Sequence, residues 1–320
     1  MNNCPKISVI MLNYNGLKYL EETVVPILNL NYPDFEFIVV DNGSTDGSIE
    51  FLKKYGKIQL ILSQRIGEKN FACNLGAKKA KGSYILFLDN DVIINDLKIL
   101  ENLFKQSLKL DRFGCYSVSL VNRGEDNTQF YGVFPNHFFA KNNKYISIAQ
   151  LEKLHNIYIG YPNGAAFFIE KSKWDEVGGY DDSLSFGGDD NDVGIKLWLR
   201  GYKNYLYSKS FQTHIGMQER INNKKYTIKL KYLIYAHLYT IVKNFNFFNC
   251  IFTLIGYSIE SFLRSIKQSM SRRSMGPARS FFIGYSLFLK NLPTALYKRK
   301  SIQKNRIIKK DIFFKIKSGI

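Results

Sequence analysis

An α/β fold is predicted for this 320-residue chain from three observations. Short apolar runs alternate with segments of helical spacing through the first 120 residues. The second and fourth of those runs end in aspartate. The positive charge is concentrated in the last third of the chain. Strands alternating with helices imply a parallel sheet covered by helices on both faces. In such sheets ligands bind beyond the C-terminal ends of the strands, so an aspartate at that end is a candidate site residue.

Residues 7–12 (ISVIML) are the first expected strand, followed by a turn at 13–16 and a helix over 17–28. Residues 35–40 (FEFIVV) are the second strand, which stops at Asp41. Gly43-Ser44-Thr45-Asp46-Gly47 then supplies turn and N-cap residues for a helix over 48–54. A third strand is expected at 59–62, a third helix at 71–81 and a fourth strand at 84–88 (YILFL), with Gly82 before it. Asp89-Asn90-Asp91 follows at once. Two carboxylates one residue apart at a strand end suit a hard divalent cation and the phosphates it carries, although a solvated acidic turn has the same composition.

Residues 114–161 read as less regular and rich in aromatics and asparagine. Residues 163–169 read as another strand, Gly178-Gly179 as a turn and Gly187-Gly188 as a hinge-like pair. Asp189-Asp190-Asn191-Asp192 opens a helix to about residue 200, and carboxylates in a first turn favour that start.

The last hundred residues differ in character. Residues 1–219 hold 24 Lys/Arg against 25 Asp/Glu, whereas residues 220–320 hold 21 Lys/Arg against only Glu260 and Asp311. Leu230, Leu233, Ile234, Leu238, Ile241, Val242 and Phe245 share one face of a helix. Residues 244–259 are uncharged, but Asn246, Asn249 and Ser258 interrupt them, and a span needs ~20 predominantly apolar residues. Residues 281–292 are a second apolar stretch. The division expected is a folded domain over 1–220 and a basic, aromatic, amphipathic helical extension over 221–320 for an anionic membrane surface. The same charge could neutralise nucleic-acid phosphates. The segment is apolar between its charges and carries no base-reading motif, so no nucleic-acid partner is expected. Cys4, Cys73, Cys115 and Cys250 form no metal or redox spacing and read as reduced. Residues 1–6 run into the first strand without the apolar stretch of a signal peptide.

Five segments, in order, resemble family 2 of the glycosyltransferases. They are residues 7–16 (ISVIMLNYNG), 37–48 (FIVVDNGSTDGS), 74–91 (NLGAKKAKGSYILFLDND), 164–180 and 187–202. The resemblance implies the GT-A fold, a Rossmann-like α/β domain with nucleotide- and acceptor-binding halves. It also implies transfer of a hexosyl group from a nucleotide-diphospho-sugar to a hydroxyl, with inversion in one displacement.

By this resemblance Asp41 contacts the base or ribose, with Asn13, Tyr14 and Asn15 beside it. Asp41 equally suits an Asx-turn before Asn42-Gly43. Asp91 corresponds to the direct ligand of a Mg²⁺ or Mn²⁺ ion. Asp89 corresponds to a residue at that metal, its bound water or the ribose. His214, after an expected strand at 205–207, corresponds to a histidine at the metal or diphosphate. The general base, which needs a carboxylate within reach of the acceptor hydroxyl, corresponds to Asp190, with Asp189 as the alternative. Asp192 reads as a first-turn helix residue. Two departures stand out: residues 67–74 are one residue longer than usual, and Arg65 replaces a common asparagine. With the basic extension, the resemblance implies a peripheral enzyme at the cytoplasmic face of a membrane, acting on a lipid-linked acceptor in cell-surface glycan assembly. The alternatives are a soluble or protein acceptor, with the extension as an interaction module, and a non-catalytic sugar-nucleotide-binding protein.

Overall fold

A computed structural model describes residues 4–128, 146–151, 153–155, 157–184, 187–216 and 223–315. Its first half follows the alternation in the sequence. Strands β1 (Ile7–Asn13), β2 (Phe35–Asp41), β3 (Ile58–Leu62) and β4 (Tyr84–Asp89) alternate with helices α1 (Leu17–Leu28), α2 (Ser48–Leu52) and α3 (Lys69–Lys79). These four strands are parallel, in the order β3-β2-β1-β4. The period of two sorts their side chains. Ile7, Val9 and Met11 pack with Leu20, Val24 and Ile27 of α1, while Ile10 packs with Ala72, Cys73 and Ala77 of α3.

The second half, beyond the alternating segments from which the parallel sheet is read, is mixed. It holds β5 (Val92–Ile93), α4 (Ile99–Ser107), β6 (Phe113–Asn122), α5 (Ile148–Leu151), β7 (Ala166–Glu170), α6 (Lys171–Glu176), α7 (Asp189–Leu199) and β8 (Lys203–His214). The sheet continues from β4 as β7-β6-β8-β5. β7 is antiparallel to β4 and to β6, β8 is parallel to β6, and β5 is antiparallel to β8. Strand β6 falls where the sequence reads as irregular. It is buried along nearly its whole length, so it lacks the in-out alternation of a half-exposed strand. Gly114, Ser117 and Ser119 also break its apolar run.

The basic extension forms three helices, α8 (Asn223–Asn244), α9 (Phe247–Ser271) and α10 (Gly276–Lys304), with a short 3₁₀ turn at Ile312–Lys315. Leu230, Ile234, Leu238, Ile241, Val242 and Phe245 are buried together against α7 and α10. Helix α7 is shared between two cores. Val193 and Leu197 face the sheet, while Ile195, Trp198 and Leu199 face α8.

A buried ionic cluster pins this junction. Lys243 of α8 bonds Asp181 and lies 2.9 Å from Asp192 of α7, and Lys196 lies 3.2 Å from Asp192. Lys298 of α10 reaches Asp181 as well. Arg299 donates to the carbonyls of Val242 and Phe245 at the end of α8, and Arg306 pairs with Asp311. Part of the basic extension is therefore spent inside the fold. Among the described residues, no helix is long and apolar enough to cross a membrane.

Candidate active site

Strand register brings the first residues together. Asn13 pairs with Asp41 and Leu12 with Asp89, so β1, β2 and β4 end flush. Asn13 Nδ2 donates to Asp41 Oδ2 at 2.7 Å, and Asn90 Nδ2 donates to Asn13 Oδ1 at 2.7 Å. Asp41 Oδ1 accepts from the amides of Gly43 and Ser44, at 3.1 and 2.8 Å. Asp41 and Asn13 are each only 1% exposed. The Asp41 carboxylate thus closes an Asx-turn and shapes the loop that follows. Asn15 takes the left-handed conformation, which asparagine tolerates. Its Oδ1 accepts from the amide of Thr45 at 2.8 Å. The loops after β1 and β2 are tied into one ledge, with the Tyr14 ring exposed on it.

Asp89 and Asp91 separate at the end of β4. Lys69, in the first turn of α3, lies 3.0 Å from Asp89 Oδ1. A cation is unfavourable at a helix N-terminus. Burial also works against the Lys69 charge, but Asp89 and Asp189 outweigh it and raise its pKa. Asp91 is carried away by β5, whose Val92 pairs with His214 of β8. His214 Nε2 lies 3.1 Å from Asp91 Oδ1. That oxygen is buried and accepts no hydrogen bond, so the close approach to the imidazole is not a well-aligned one. A Cβ on Gly216 would stand 2.0 Å from Asp91 Oδ2, so a larger residue there would displace the Asp91 carboxylate.

An unsatisfied carboxylate oxygen beside an imidazole nitrogen is a suitable pair of ligands for a divalent cation. Among the described residues no group of three or more Cys, His, Asp or Glu is placed to hold a metal ion. Mg²⁺-type sites often take only one or two protein ligands, the rest coming from substrate phosphates and water. The residues therefore fit a metal that arrives with a diphosphate.

Asp189 and Asp190 start α7 behind Gly188, which has φ +76° and lies so close to Ala236 of α8 that a Cβ would meet it at 2.8 Å. Burial first, and the Asp190 charge next, push Asp189 up to about 6. Asp190 is half-buried, packs over Gly164, and its Oδ1 accepts from the amide of Asn191 at 2.8 Å. Asp192 points away into the ionic cluster.

A cavity of about 450 Å³ gathers Lys69, Asp89, Gly164, Asp189, Asp190 and His214. Its other wall is helical, with Lys229, Leu233 and His237 from α8 and Arg264 from α9. His237 is held between Asn191 Nδ2 at 3.2 Å and the Tyr257 hydroxyl at 3.0 Å. Asp41, Asn13 and Asn15 stand on the ledge outside this cavity. Arg65 is engaged by Glu68 and stacks over Phe71. A larger cavity of about 700 Å³, lined by Asn74, Asp182 and Tyr297 among others, contains none of the expected site residues. Lys69 and the helical wall were missed from the sequence. Lys69 did carry a signal, a cation misplaced at a helix start in the segment with the extra residue.

The sequence matches the family model described as glycosyl transferase family 2 over residues 8–173. It is 38% identical over 91 residues to the putative teichuronic acid biosynthesis glycosyltransferase TuaG of Bacillus subtilis, covering 27% of this chain and 36% of that protein. The chain spans well under two thirds of the length of such curated relatives. The fold is similar to the mannosyltransferase PcManGT of Pyrobaculum calidifontis, solved with GDP-Man and Mn²⁺ (TM-score 0.56, 17% identity, 95% of this chain, 86% of that one). It is also similar to residues 1–349 of Staphylococcus aureus TarS (TM-score 0.57, 14% identity, 97% and 90%). With more than half of its length matched and the GT-A fold around that match, the chain belongs to glycosyltransferase family 2.

Proposed function

We propose that this protein transfers a sugar from a nucleotide-diphospho-sugar to a hydroxyl of a lipid-linked glycan acceptor during cell-surface glycan assembly. The observation that carries the reading is one cavity holding two acidic sets, the Asp89 end with His214 and the Asp189–Asp190 pair. The ledge of Asn13, Asn15 and Asp41 receives the nucleoside. Asp91 and His214 would hold a divalent metal, which when bound would supply a Lewis acid for the charge of the leaving diphosphate. Lys69 orients Asp89 through their ion pair.

Asp190 takes the proton of the acceptor hydroxyl. The acceptor oxygen bonds to the anomeric carbon from the face opposite the diphosphate. The bond from that carbon to the phosphate oxygen breaks, and its electron pair leaves with the nucleoside diphosphate. Asp189 is buried and Asp190 half-buried, so Asp190 is the member of the pair open to an acceptor hydroxyl. Teichuronic acid biosynthesis, named for one relative, supports the cell-surface assignment, and the GDP-Man and Mn²⁺ named for one structural neighbour support the donor and metal classes.

Helix α9 supports the membrane side of the proposal. Its buried positions are Thr253, Tyr257, Ser261, Ser265 and Ser269. Its exposed ones include Phe248, Phe252, Ile255, Ile259 and Leu263. That polarity is inverted for a helix meeting water and suits one lying in a bilayer interface. The test of the base is Asp190→Asn. Donor binding is expected to persist while transfer falls by about 10²-fold or more. Near-normal turnover would remove Asp190 from that role.

A further inference from the structure

We infer that the α8–α9 wall of the cavity binds a phosphate group of the acceptor, anchored by Arg264. The inference rests on the proposed transfer reaction and names what its acceptor carries. Arg264 lines the same cavity as Asp189 and Asp190. Its Nε and Nη2 atoms are buried and make no well-aligned hydrogen bond, with the Tyr257 hydroxyl as a neighbour of the guanidinium. Glu260, one turn back on α9, forms a loose ion pair with it, its Oε2 atom 3.4 Å from Nη2 and likewise without a hydrogen bond. Burial raises the pKa of Glu260, and the Arg264 charge lowers it. Buried guanidinium N–H groups left unpaired are costly, and an unfilled ligand position accounts for them. The fork of N–H donors matches an oxyanion bidentately.

Two further observations point to the acceptor. Lys229 of α8 lines the same wall and adds a second cation, whereas the carboxylates that line the cavity, Asp89, Asp189 and Asp190, lie on β4 and α7. Arg264 also follows Leu263, which is 61% exposed on the apolar face of α9. The cavity wall and the outward apolar face thus meet within one helix. A phosphate joining a lipid to a glycan would bind at that boundary, with its glycan directed toward Asp190.

The test uses the full chain, with nucleoside diphosphate and Mn²⁺ saturating the donor site, titrated calorimetrically with geranyl phosphate, geraniol and inorganic phosphate. Geranyl phosphate is expected to bind and geraniol not to. Arg264→Gln is expected to weaken that binding at least about tenfold, the range for losing a charge-assisted hydrogen-bonded pair. Arg264→Lys is expected to keep part of it. Lys229→Gln, at an exposed position, provides a second variant and a smaller loss. Nucleotide binding retained in each variant shows that it is folded. Geranyl phosphate binding more tightly than inorganic phosphate assigns the group to a lipid headgroup, and equal binding assigns it to phosphate borne elsewhere on the acceptor. Unchanged binding by Arg264→Gln, equal binding of geraniol, or displacement of geranyl phosphate by the nucleotide would overturn the inference. Failure of the nucleotide itself to bind would instead count against the proposed donor.

Discussion

Asp189 shows how one carboxylate links stability to chemistry. Burial and the Asp190 charge hold its proton to about pH 6, above the ordinary 3.8. Between those values the folded chain binds more protons than the unfolded one, so stability falls as pH rises through the window and stays lower above it. Asp189→Asn removes the ionisation. It is expected to match the wild type near about pH 4 and to exceed it by about 1–3 kcal/mol near about pH 8, read by urea unfolding. An equal effect at both pH values would contradict a raised pKa. The Asp89-Asn90-Asp91 motif was legible because an apolar strand points directly to it. Lys69 and Arg264 were not, because their settings are built by partners such as Asp89, Asp189 and the cavity itself, which folding brings from elsewhere in the chain.

Helix α7 carries the proposed base and is held from both sides, by the sheet and by α8. Asp192 fixes it to Lys243, and Asp181 ties the preceding loop to the same lysine. Lys243→Met would leave two buried carboxylates with one cation each, Lys196 for Asp192 and Lys298 for Asp181. The expected cost is about 3 kcal/mol, at the low end for breaking a buried pair. The denaturation midpoint measures it, and a loss below about 1 kcal/mol would show that the cluster does not hold the junction. The helical face of α8 was readable from its spacing. The inverted polarity of α9 was not, because periodicity finds an apolar face without saying whether protein or solvent meets it.

Across the whole molecule, the parallel half of the sheet was legible and the mixed half was not, since β6 and β7 join it through long-range antiparallel pairing. The charge asymmetry was read as one basic surface, but Lys243, Lys298, Arg299 and Arg306 serve internal contacts. Apolar insertion by α9 therefore carries more of the proposed membrane contact than charge does. In flotation with anionic vesicles, the double substitution Phe252→Glu and Leu263→Glu is expected to abolish association while nucleotide binding persists. A wild-type chain that does not float, or a double variant that still does, would contradict the membrane proposal.

The central claim is that Asp91 and His214 hold a metal on which donor binding depends. The most direct measurement is the thermal midpoint of the full chain with UDP-, dTDP- and GDP-sugars, with Mn²⁺ and with chelator, for the wild type and Asp91→Ala. A ligand that binds the folded state raises the midpoint by mass action. The account predicts a rise with one nucleotide class that requires Mn²⁺ and is absent in Asp91→Ala. An equal rise in chelator, or one that survives in Asp91→Ala, would contradict it.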